Sequence, residues 1–168
     1  MWKAIIKASG NAILFFAVII AFFVASACNS RNCRREKVPS SVLKYRVLSN
    51  GDEHALNVLF DLYKDECLPY CFFMADSLNN GEACNLIYLL ITEWYEDNNL
   101  KMPSEVFNVV YHYASKGVEL HNWPSAINMS VIYDSGKYVP RDTIKAQKYL
   151  ELFHDFFEEV SSGKEYEN

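Results

Sequence analysis

Proline opens and glycine closes the apolar segments in the second half of this chain. Pro103 precedes "SEVFNVVYHYASKG", which ends at Gly117; Pro124 precedes "SAINMSVIYDSG", which ends at Gly136; Pro140 precedes the last long segment. Proline is tolerated in the first turn of a helix, where its missing N–H has no partner to lose, and glycine reaches the left-handed conformation in which many helices end. Between these marks the apolar residues recur at helical spacing. Val106, Val109, Val110, Tyr113 and Ala114 form one stripe, and Ala146, Tyr149, Leu150, Phe153, Phe156 and Phe157 form another. From Ser40 onward no alternating strand pattern of any length interrupts them, so the expected class is all-α.

The preceding part reads the same way. A short helix is expected over Ser41–Leu48, stopped by Asn50-Gly51, and a second starts near Asp52 with Ala55, Leu56, Leu59, Phe60 and Tyr63 on one face. Pro69 is expected to begin a third, which stops before Asn79-Asn80-Gly81, where glycine would supply the left-handed turn. "EACNLIYLLITEWYEDNN" is apolar nearly all round as far as Trp94-Tyr95, which suggests a central helix buried on two sides. Helices joined by turns of a few residues must pack as antiparallel neighbours. Gly81 recurs as Gly117, and small-residue starts near Ala55, Asn85 and Ser125 are about one hairpin apart. Such a period is close to the roughly 34 residues of tetratricopeptide units and points to an α-solenoid of about three helical hairpins.

The chain begins "MWKAIIKASGNAILFFAVIIAFFVASACNS", with Lys3 and Lys7 before an apolar run from Ala12 to Val24. The run is shorter than the roughly 20 residues of a bilayer-spanning helix and ends in the small-x-small pattern Ala25-Ser26-Ala27, as an export signal does. Small residues followed by Cys28 resemble the lipobox of bacterial lipoproteins, in which the cysteine becomes the acylated first residue; here Ala25 replaces the usual leucine. The expected organisation is a signal peptide over 1–27, a basic linker over 28–40 after a lipidated Cys28, and a helical repeat domain over 41–168. Cleavage after Ala27 by an ordinary signal peptidase, leaving a soluble periplasmic chain, and retention of the run as an uncleaved anchor are the alternatives. Arg31, Arg34, Arg35 and Lys37 oppose export, because positive charge just beyond an apolar segment tends to stay cytoplasmic. Beside an acylated cysteine the same cluster would lie against anionic headgroups. Asn29 is not the aspartate that signals inner-membrane retention in enteric lipoproteins, which leans the expectation to the outer membrane.

Ser125, Met129, Ser130, Tyr133, Gly136, Val139, Asp142, Lys145, Ala146 and Tyr149 fall on the pattern A-x3-L-G-x2-Y-x2-G-x-G-V-x2-D-x2-K-A-x3-Y. This is similar to the Sel-one-like repeat, a relative of the tetratricopeptide repeat, with serine standing for alanine and glycine and Tyr138 where a second loop glycine is common. Small Ser125, Ser130 and Ala146 would let helices approach, Tyr133 would pack across the hairpin, Gly136 would take the turn, and Asp142 would cap the following helix. The middle unit keeps Leu89, Val106, Ala114 and Gly117, and the first keeps Ala55, Leu59, Tyr63, Ala75 and Gly81. The resemblance implies an adaptor or scaffold that binds protein rather than an enzyme. Small signal-bearing members include periplasmic immunity proteins that neutralise type VI secretion effectors such as lipases. An envelope adaptor binding a sensor or assembly protein is the second reading, and a β-lactam-binding repeat protein a remote third.

Charge and chemistry agree with a binding role. From Cys28 to Arg46 six Lys/Arg face one acid, whereas from Val47 to the end eight Lys/Arg face twenty Asp/Glu, a charge of about −12 that repels phosphate backbones. Nucleic acid is therefore not expected as a partner. None of the common nucleophile, zinc-protease, phosphate-loop or dinucleotide motifs is present, and neither a cofactor nor a small-molecule substrate is expected. His112 and His154 are read as ordinary helix histidines. Beyond Cys28, the four cysteines Cys33, Cys67, Cys71 and Cys84 allow three pairings; Cys67 and Cys71 are spaced like a metal clip, but Pro69 lies between them and no histidine is near. Glu93, Glu96 and Asp97 around Trp94 form the candidate recognition patch for a basic protein partner.

Overall fold

A computed structural model describes residues 38–162. Among these residues there are seven helices and no strand: α1 (Ser40–Asn50), α2 (Glu53–Leu62), α3 (Lys64–Ser77), α4 (Gly81–Asp97), α5 (Ser104–Glu119), α6 (Trp123–Ser135) and α7 (Thr143–Ser161). The all-α expectation holds for them. The signal peptide expected over 1–27, Cys28, Cys33 and the basic cluster ending at Lys37 lie outside the described residues. No helix within them is long and apolar enough to cross a membrane.

Three of the connections share one device, a left-handed residue followed by a side-chain cap. Each leaves a helix through a residue of positive φ, Gly51 (61°), Asn79 (49°) or His121 (56°). It passes at once to Asp52, Asn80 or Asn122, whose side-chain oxygen accepts from the backbone N–H of Ala55 (2.9 Å), Ala83 (2.7 Å) or Ser125 (3.0 Å). The cause is local. A new helix has four N–H groups without partners, an Asx side chain satisfies one of them, and glycine or asparagine enters the left-handed region at low cost.

Counting from these caps, α2, α4 and α6 share one register. Ala55, Ala83 and Ser125 come three residues after the cap, Leu56, Cys84 and Ala126 four after, and Leu59, Ile87 and Met129 seven after; all of them are fully buried. The small residue at this step of the register is Ala83, two positions before the Asn85 expected, because the cap that sets the register is Asn80. The turns also stack along one edge. Asn80 donates from Nδ2 to Glu53 of α2 (2.6 Å), and Asn122 donates from Nδ2 to Glu82 of α4 (3.1 Å). Asn128 of α6 then donates to Asn85 of α4 (2.9 Å) inside the same interface.

The main contacts join each helix to the next and, beyond that, α1 to α3, α2 to α4 and α4 to α6. The central segment is thus flanked on two sides, and Ile91 of α4 packs against both apolar clusters. One cluster is built on Leu43, Val47, Leu56, Leu59, Met74 and Ile87, the other on Met102, Phe107, Val110, Met129 and Ile132.

Four local expectations are corrected. Pro69 does not start a helix but sits inside α3, which begins at Lys64 after the non-helical break at Tyr63. The proline offers no N–H to the carbonyl of Asp65, a loss that falls on an exposed turn where water can replace it. Gly81 is the first residue of α4, and the left-handed turn belongs to Asn79. Gly117 does not end α5, which runs on to Glu119; it is buried where α5 crosses α6. Val109, Leu150 and Phe157 are exposed, and the buried side of α5 is Phe107, Val110, Tyr113, Ala114 and Gly117.

Removing the side chain of Asn122 deletes the cap, the acceptor of the Ser125 hydroxyl and one hydrogen bond to Glu82 together. Asn122→Ala is expected to cost about 1–2 kcal/mol, and Asn122→Ser to recover the capping part, as read from the midpoints of urea unfolding.

Candidate protein-binding groove

Because α2, α4 and α6 are aligned at their caps, differences in helix length appear at the opposite edge. Helix α2 has 10 residues and α4 has 17. The last turns of α4, from Ile91 to Asp97, therefore project about 10 Å past the end of α2. The chain leaves α2 directly into α3 through Tyr63, and among the described residues the first turns of α3, with Lys64, Asp65 and Leu68, stand beside the projecting part. What remains is an open groove of about 600 Å³. Its walls are Leu68 of α3, Leu90, Ile91, Trp94 and Tyr95 of α4, and Val106 of α5; Lys64, Asp65 and Asp97 form the rim.

The end of α4 is fixed by its own turn. Asn99 takes φ 51°, the N–H of Leu100 bonds to the carbonyl of Tyr95 (2.9 Å), and Pro103 then stands before α5. Trp94 is 54 % exposed and meets Tyr95 edge to face, with ring centroids 5.0 Å apart. Lys64 is held by Glu93 and lies 5.6 Å over the ring of Phe60. Glu96 pairs with Lys137 at 3.6 Å. Among the described residues neither Asp65 nor Asp97 has a cationic partner within 4.0 Å, although both raise the pKa of Lys64 behind the larger effect of Glu93.

The expected patch is therefore divided. Trp94 and Asp97 line the groove, while Glu93 and Glu96 flank it in ion pairs. Tyr95 stood beside Trp94 in the expected patch, whereas Leu68, Leu90, Val106 and Asp65 were not singled out as site residues from the sequence; comparing helix lengths from the caps is the signal that could have found them. A second recess of about 620 Å³ lies between residues 101–108 and 137–139, where Tyr138 stacks on Phe107 at 4.7 Å.

The residues of the repeat pattern sit together in the α6–α7 hairpin. Ser125, Met129, Ser130 and Tyr133 are buried on α6, and Ala146 on α7. Tyr133 stacks on Tyr149 at 5.8 Å and its hydroxyl meets that of Tyr111 at 2.8 Å. Gly136 ends α6 at φ 61°, and Asp142 accepts from the N–H of Lys145 (2.9 Å) at the start of α7. His112 and His154 are exposed on α5 and α7. Cys67 and Cys71 are buried with sulfurs 3.5 Å apart; the contact with Cys67 together with burial holds the Cys71 thiol far above its ordinary range. Cys84 is likewise buried and pushed up to about 11.

Two carboxylates are held below the usual 3.8. For Asp52 the main cause is the hydrogen bond from the N–H of Ala55, and for Asp76 the hydrogen bond from the Tyr113 hydroxyl. Their contribution to stability is complete above 3.8 and is lost as the pH falls through their lowered values. Glu82 is shifted the other way from 4.5, chiefly by burial, so its contribution is complete below 4.5 and is lost as the pH rises through its raised value. Urea midpoints measured against pH should therefore pass through a maximum in mild acid, and Glu82→Gln should flatten the limb above it.

Compared with family models, with curated proteins and with solved structures, the chain finds no significant match.

Proposed function

We propose that the chain is an exported α-solenoid of Sel-one-like hairpins that grips another polypeptide. It is held at the membrane through an acylated Cys28 and neutralises a secreted effector such as a type VI lipase. The observation that carries the binding role is the pairing of two unlike edges. One is closed by three similarly capped turns in hydrogen-bonded contact, and the other is left open along the overhang of α4. Contacts confined mainly to helices one or two apart support a stack, whose inner surface suits an extended or helical segment. Binding rather than turnover is the role such a surface serves.

The test is recovery of the full chain from its native cell. A tight complex with a secreted lipase, together with protection of cells exposed to that lipase, supports immunity. A complex with a sensor or assembly protein moves the role to an envelope adaptor, and recovery without any polypeptide contradicts both. For the anchor, labelled fatty acid is expected in the wild-type chain and not in Cys28→Ala; label in both, or in neither, removes it.

A further inference from the structure

Resting on the reading of the chain as a polypeptide-binding stack, we propose that the groove beside the overhang of α4 receives an apolar side chain from a partner segment flanked by Lys or Arg. The walls dictate the centre of that segment. Leu68, Ile91, Trp94 and Val106 enclose space for a large aliphatic or aromatic side chain, and the exposed indole of Trp94 offers the kind of surface on which interface anchors concentrate.

The rim dictates the flanks. Lys64 is held by Glu93, and Asp65 of α3 and Asp97 of α4 add two negative charges to the rim with no cationic partner within 4.0 Å among the described residues. The sequence from Val47 onward carries about −12, so a cationic segment is drawn to this surface from a distance. A second copy of this chain meeting this groove through the same face would bring the same acidic rim and be repelled. A small polar ligand finds little to orient it, because no buried side-chain polar atom of the described residues lacks a partner.

The assignment is tested with three short synthetic peptides and the purified full chain: an Arg-flanked Trp/Leu centre, the same centre flanked by Glu, and an Arg-flanked serine centre. Only the first is expected to bind, with an affinity that falls as salt is added. Trp94→Ala and the pair Asp65→Lys/Asp97→Lys should each weaken it at least about tenfold. The charge-reversed pair should instead accept the Glu-flanked peptide, a gain that simple misfolding cannot produce. Equal binding of Arg- and Glu-flanked peptides, unchanged affinity in the reversed pair, or refusal of all three overturns the proposal. So does concentration-dependent self-association that Trp94→Ala abolishes, since the occupant would then be a second copy. Capture of a native polypeptide partner that survives Asp65→Lys/Asp97→Lys sinks the groove alone and leaves the wider binding role standing.

Discussion

Gly117→Val is expected to destabilise the protein by about 3 kcal/mol or more, the upper end of what overpacking costs. A Cβ at this position would lie 2.1 Å from Ser125 Oγ, 2.6 Å from Ser125 Cβ and 3.3 Å from Cys84 Cβ. Ser125 cannot yield. It is fully buried, its hydroxyl donates to Asn122 Oδ1 at 2.8 Å, and its own N–H is held by the same cap. Either α6 moves away from α5 or the turn that aligns α6 breaks.

Gly117→Ala is the sharper version, because alanine in a helix interior gains about 1 kcal/mol over glycine. Were Gly117 merely a helix stop on open surface, that substitution would be stabilising. At a close crossing, the cost of about 1–3 kcal/mol outweighs the gain, and the net change is a loss. Ser125→Gly in the Gly117→Ala background should recover part of that loss, and a double-mutant cycle on urea unfolding reads the coupling directly.

Ile87→Ala is expected to cost about 3–4 kcal/mol, with Leu59→Ala and Met129→Ala in the same range, because each leaves a cavity at the same step of the shared register. All three side chains are fully buried, seven residues after Asp52, Asn80 and Asn122. Val109→Ala is the control: exposed on α5, it should change stability by no more than about 0.5 kcal/mol. Denaturant midpoints check the set, and a large loss at Val109 with a small one at Ile87 would mean that the inner faces have been misplaced.

Much of the helical order is legible in the residues themselves. Asn50-Gly51 ends α1, Asp52 caps α2, Gly136 ends α6 and Asp142 caps α7, each where local chemistry alone would put it. The misreadings share a cause. Glycine serves both where φ must be positive and where no Cβ fits, and the letter is the same for both uses. At Gly81 and Gly117 the reason is space, against Asn122 and Leu120 in one case and Ser125 in the other, and those contacts join distant parts of the chain. Asn79 and His121 carry the left-handed turns that glycine was expected to take. Pro69 stands inside α3 because the break that starts the helix comes earlier, at Tyr63, a residue with no turn signal of its own.

The groove was half legible. Trp94 and Asp97 stand out as an aromatic beside acids, but Leu68 of α3 and Val106 of α5 join them through the way three helices meet at the end of α4, a relation between segments rather than a property of any one.

The most direct measurement places a photo-reactive amino acid at position 94 of the full chain, and separately at exposed position 148 on α7, in the native cell. Illumination is expected to join position 94, and not position 148, to one distinct polypeptide. Absence of any adduct at position 94, or the same adducts at both positions, would contradict the account.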